Sequence, residues 1–101
     1  MFVVVLTYTA PLDQVDQALP AHVEWLSKQY DDGHFLASGR QNPRTGGVII
    51  TRPMDRANLD AILAADPFAI NGLASYEIIE FSPTRTAPEL SLLNEILNNN
   101  T

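Results

Sequence analysis

The spacing of hydrophobic residues changes along the chain and divides it into elements. Residues 2–9 (FVVVLTYT) are β-branched and apolar without a break. That predicts a strand covered on both faces. Pro11 closes it, and Asp13 stands where an N-cap belongs, with Asp16 in the first turn where a carboxylate suits the helix dipole. Val15, Leu19, His22, Leu26 and Tyr30 then recur at steps of 4, 3, 4 and 4, the period of one helical face. Pro20 interrupts them. It either kinks this helix or starts a second one as its first-turn proline. Asp31-Asp32-Gly33 is the stop signal.

Residues 34–39 predict a second strand, 41–47 a loop holding Asn-Pro and Gly-Gly, and 47–52 a third strand hairpin-paired with the second. Asp55 is placed to cap a second helix with Leu59, Ile62 and Leu63 on one stripe. Asp66-Pro67-Phe68 ends that helix, because a proline pushes the residue before it towards an extended conformation. Residues 69–72 are a connection, 73–81 a fourth strand and 82–86 irregular. Residues 87–97 form a short tail helix with Leu90, Leu93 and Leu97 on one face, and Asn98-Asn99-Asn100 should fray.

The order β-α-β-β-α-β, with a tail, is the ferredoxin-like α+β pattern of a four-stranded antiparallel sheet. Right-handed crossovers put both main helices on one face of it. In the first strand, Phe2, Val4 and Leu6 point one way and Val3 and Val5 the other. Both sets are apolar, so the helix-free face is apolar too. A second copy of the sheet would cover it as a two-fold homodimer, itself open to higher assembly; the tail helix folded back is the other cover, and the two are compatible.

Composition narrows the classes. A chain of 101 residues that is 46% hydrophobic is expected to form one domain with a core. Six Lys and Arg against 12 Asp and Glu give a net charge of −6, which argues against nucleic acid. Without cysteine there is no disulfide, thiolate nucleophile or Cys-based metal site. No run approaches the roughly 20 apolar residues of a membrane span, and the first strand lacks the basic flank of a signal peptide. A cytoplasmic location and no membrane partner are expected.

His22 is the first candidate for chemistry. On an inward face it is either a satisfied core histidine or a base, and a helix restarting at Pro20 would place it in a first turn, where the dipole keeps the ring neutral. Asp66 either caps its own turn or orients an imidazole. Arg40, at a strand end beside Gly39, is suited to a bidentate grip on a carboxylate, and Gly39 allows close approach. His34, near Asp31 and Asp32, makes a poor metal constellation; no P-loop, G-x-G-x-x-G or H-E-x-x-H motif is present.

Four segments in order resemble the YciI-like family of small dimeric α+β-barrel proteins. They are the apolar strand 2–6, His22 within PAHVEWL, Gly33 with Leu36-Ala37-Ser38-Gly39, and Asp66-Pro67-Phe68 followed by Gly72 and the strand ending at Phe81. The resemblance spans residues 1–83, with the tail an extension. It implies His22 and Asp66 as the active pair and carries the family's small-Gly strand end over to Ser38 and Gly39; together with Arg40 and Phe68 these are the expected substrate-binding residues. It departs from the family at Arg40, where proline is frequent, and at Ala18-Leu19, where arginine is frequent. The implied activity is cofactor-independent acid–base chemistry on a small organic acid or lactone, of isomerase, lyase or dehalogenase type as in muconolactone isomerase or chloromuconolactone dehalogenase. The alternative is a non-catalytic ligand-binding or assembly module with a structural His–Asp pair.

Overall fold

The computed structural model describes residues 1–95. Strand β1 (Phe2–Tyr8) leads to helix α1 (Leu12–Asp31), strands β2 (Phe35–Arg40) and β3 (Gly46–Thr51), helix α2 (Arg56–Ala64), a short helix α3 (Pro67–Ile70) and strand β4 (Ala74–Glu80). The sheet order is β2-β3-β1-β4 with every neighbour antiparallel. This is the expected ferredoxin-like α+β arrangement.

β1 is central because both its faces are apolar. Phe2, Val4 and Leu6 are at most 2% exposed and pack with Val15, Trp25, Leu59, Leu63 and Phe68 from the helices. Val3 and Val5 are half-buried on the opposite face. There Val3 sits in register between Ile50 and Ile79, and Val5 between Val48 and Glu77. The helix-free face is therefore apolar as expected.

α1 corrects several expectations. It runs unbroken through Pro20, which neither restarts nor divides it. Pro20 and Asp16 are both exposed, so the Asp16 carbonyl left without a helical N–H lies on the solvent side, open to water. Pro11 occupies the cap position without a side-chain bond, and Asp13 lies in the first turn. The buried face is Val15, His22, Trp25 and Gln29, not the line through Leu26 and Tyr30. Hydrogen bonds decide the difference. The Trp25 indole donates to the Ile62 carbonyl at 3.2 Å, and Gln29 Oε1 accepts from His34 Nδ1 at 2.8 Å. His34 lies just before β2, engaged in that bond.

Asp55 occupies the α2 cap position without a side-chain bond. Asp66-Pro67-Phe68 ends α2 but immediately starts α3, so the first half of the expected connection, residues 69 and 70, is helical. Over Pro88–Leu93 the described part of the tail forms a 3-10 helix where an α-helix is expected. So short a segment gains little from α-helical propagation. Leu93 is buried while Leu90 is 48% and Leu92 83% exposed. The last residues of the expected helix, 96 and 97, and the asparagine run lie outside the described residues. Among those described, no helix is long and apolar enough to cross a membrane.

At the start of β3 the backbone approaches β1 so closely that a Cβ on Gly46 would overlap the Leu6 carbonyl, whereas one on Gly39 would meet open space. Gly46→Ala is expected to cost about 3 kcal/mol and Gly39→Ala less than about 1 kcal/mol. Urea unfolding of the two variants checks this; equal midpoints would contradict the close approach.

Candidate active site

The site grows from the Asp66-Pro67-Phe68 turn. Pro67 takes the first helical position, where its missing N–H costs nothing, and Asp66 is the N-cap in an extended conformation. Its Oδ1 accepts the Phe68 N–H at 3.0 Å. The same Oδ1 lies 2.7 Å from His22 Nδ1, in the middle of α1. Oδ2 accepts the Tyr76 hydroxyl from β4 at 2.6 Å. Asp66 is 0% exposed. Capping its own turn and orienting an imidazole, posed by the sequence as alternatives, are done by one carboxylate.

A carboxylate only accepts, so Nδ1 carries the shared proton and Nε2 holds the free lone pair. The expected dipole effect at a helix first turn is absent, because α1 does not restart at Pro20; Asp66 sets the tautomer instead. The imidazole is stacked on Phe68, with centroids 3.9 Å apart and planes at 6°, and Trp25 lies on it at 5.5 Å and 33°. Nε2 has no protein partner among the described residues, and it is not among the fully buried unpartnered atoms. Nε2 is therefore not sealed from solvent, and His22 lines a cleft of about 240 Å³.

The cleft gathers His22 and the four expected substrate-binding residues, while Asp66 lies buried behind His22 and does not line it. Phe68 and His22 form one wall, and Ser38, Gly39 and Arg40 at the end of β2 form another, with Leu6, Leu19, Leu26 and Ile49 between. Ser38 Oγ is 2.7 Å from the Tyr30 hydroxyl, and Arg40 is exposed. The sequence reading missed Tyr76, Trp25 and Tyr8. Tyr76 is on the inward phase of β4, and a tyrosine there needs a partner for its hydroxyl, a signal that was available. Tyr8 lines the cleft and meets Phe68 edge to face at 6.0 Å. Arg44 lies 5.7 Å over the Tyr8 ring and donates to Asp16 at 2.6 Å; that bond holds the Asp16 carboxyl below its ordinary value.

The YCII-related domain family matches residues 1–82. Among solved structures the chain is similar to 5-chloro-2-hydroxyhydroquinone dehydrochlorinase from Burkholderia phenoliruptrix, in complex with 2,5-dihydroxybenzoquinone. The TM-score is 0.68 at 16% identity, over 82% of this chain and 95% of that one. At that identity the likeness shows the fold. No curated protein matches.

Burial raises the Tyr76 phenol well above its ordinary value, and the Asp66 bond and charge raise it further. Folded protein keeps this proton where unfolded chain has lost it, so Tyr76 contributes stability that declines as pH rises past about 10. Tyr76→Phe is expected to cost about 1–3 kcal/mol at neutral pH, by leaving Oδ2 unsatisfied, and to flatten the alkaline decline. Denaturant unfolding from pH 7 to 11 checks both; parallel declines in parent and variant would contradict the assignment.

Proposed function

The chain belongs to the YCII-related domain family, and we propose that it is a cofactor-independent enzyme whose acid–base group is His22 Nε2. The observation carrying this reading is an imidazole fixed at Nδ1 by a buried carboxylate, with Nε2 unpartnered among the described residues and the residue lining a cleft. The fold neighbour is a dehydrochlorinase, which supports a lyase-type reaction on a small oxygenated ring, organic acid or lactone. A cleft of about 240 Å³ is below the roughly 300–1,000 Å³ of pockets for drug-sized ligands.

In this reading Nε2 takes a proton from a hydroxyl or from a carbon next to the leaving group. The electron pair of the broken bond becomes a new π bond, and chloride departs with its own bonding pair, so HCl is lost overall. In an isomerisation the proton returns to another carbon. Asp66 stabilises the imidazolium formed and keeps the ring oriented. Phe68 and Trp25 cover the ring faces and leave its edge as the approach. Arg40 grips a substrate carboxylate or ring oxygen, Ser38 offers a hydroxyl, and Gly39 lets the substrate lie close to the strand.

The protein works as a cytoplasmic homodimer in this reading. The helix-free face, with Val3, Val5, Val48 and Ile50 half-buried and Ile79 48% exposed, supports a second copy as its cover. A lysine at Ile50 is then expected to yield monomers in sedimentation; an unchanged mass would remove that interface.

The test of the activity uses chloride release from 5-chloro-2-hydroxyhydroquinone and turnover of muconolactone-type lactones. His22→Ala is expected to lower turnover at least about 100-fold while the fold persists by circular dichroism. Equal rates in parent and variant would sink the acid–base role. The binding-module reading draws on the same saturated Asp66 network; it predicts stability loss in His22→Ala and no turnover of any of these compounds by the parent.

A further inference from the structure

Asp66 offers two oxygens, and they are used differently. Oδ1 takes the His22 Nδ1 proton at 2.7 Å and the Phe68 N–H at 3.0 Å, both from the helical side. Oδ2 takes only the Tyr76 hydroxyl, at 2.6 Å, from the sheet. A carboxylate's terminal torsion is broad and roughly two-fold. The cap bond alone therefore leaves the plane of the group, and the oxygen facing His22, free to change. We infer that Tyr76 is a positioning residue for His22: its hydroxyl pins Oδ2 and thereby fixes Oδ1 as the acceptor that holds the imidazole as its Nδ1–H tautomer, with Nε2 on the cleft.

A phenol hydroxyl both donates and accepts, but opposite a carboxylate it donates. Burial beside Asp66 keeps that proton in place. Both carboxylate oxygens are then occupied by donors, and no proton remains for Asp66 to give back. Nδ1 must donate as well, which leaves the lone pair at Nε2. Without the Tyr76 hydroxyl, Oδ2 is short of a donor where water does not reach. The carboxylate relieves this by turning Oδ2 towards the Phe68 N–H, which carries Oδ1 out of line with Nδ1. The imidazole, no longer held by an acceptor at Nδ1, is then free to take either tautomer, and its stacking on the Phe68 ring loosens with the same turn. Tyr76 is not among the residues lining the cleft, so its effect passes through Asp66.

This role rests on reading His22 as the acid–base group, but its test does not depend on knowing the substrate. Two-bond ¹H–¹⁵N correlations on labelled protein at neutral pH report the tautomer of His22. The parent is expected to show the Nδ1–H form alone, with a slowly exchanging low-field Tyr76 hydroxyl proton. Tyr76→Phe is expected to show mixed tautomers, together with a fall in kcat on 5-chloro-2-hydroxyhydroquinone of about 10–100-fold, the usual cost of losing a residue that orients a reactive one, at little changed KM. A parent in the Nε2–H form, or one with no protected hydroxyl signal, overturns the proposal with no variant needed. A folded Tyr76→Phe that keeps a pure Nδ1–H tautomer also overturns it, whatever its melting temperature. An unchanged rate in His22→Ala defeats the acid–base reading instead, and the tautomer result separates the two failures.

Discussion

A carboxylate shut away from water is tolerated only when donors saturate it, and Asp66 imposes that condition on three parts of the chain. It draws in the middle of α1 through His22, the start of α3 through the Phe68 N–H, and β4 through Tyr76. A missing donor costs about 1–3 kcal/mol, more when the acceptor is charged, a large share of the stability of a domain this size. Helices and sheet are thus locked at one point as well as packed along a core. Opening any one of these bonds weakens the link between helices and sheet, and a group held from three sides is what acid–base chemistry requires.

The residues divide into two sets with different exposure. His22, Asp66 and Phe68 are at most 8% exposed, fixed by bonds and stacking. Ser38, Gly39 and Arg40 are exposed at the end of an edge strand. A chain can change the second set with little effect on packing, whereas any change in the first disturbs the core. The departures from the family pattern, Arg40 among them, fall on the exposed wall or on α1 before His22. This separation allows one fold to keep the same buried His–Asp pair while the exposed wall opposite it varies.

The sequence carried the parts of the fold that follow from local period and turn chemistry. The uninterrupted apolar run of β1, the hairpin around Gly46-Gly47 and the turn at Asp66-Pro67-Phe68 are each legible from a few neighbouring residues. The inward face of α1 was not. Leu26 and Tyr30 compete with Trp25 and Gln29 for it, and the choice is made by the Ile62 carbonyl and by His34, which lie on other segments. The helix does not restart at Pro20 for a related reason: a proline ends a helix only where the lost bond cannot be replaced, and on the exposed side water can replace it. His22 and Asp66 are 44 positions apart, so no spacing rule joins them; the resemblance did. Tyr76 escaped because alternation placed its ring inside without naming what its hydroxyl would meet.

The same bonds fit a structural histidine and a working one, so the distinction lies at the other end of the ring. A histidine kept only for structure has both nitrogens occupied. Here Nδ1 is bound to a charged partner while Nε2 opens on a cleft whose walls are mostly leucine, isoleucine, valine and aromatic side chains. An imidazole edge in such surroundings gains little from them, and a leucine would fill the same space with no buried carboxylate to satisfy. The fold instead keeps Asp66, surrounds it with donors from α1, α3 and β4, and leaves one lone pair facing open space. That arrangement makes no sense as packing. It does make sense if a molecule with a proton to exchange enters the cleft, and this is why the acid–base reading is preferred to the structural one.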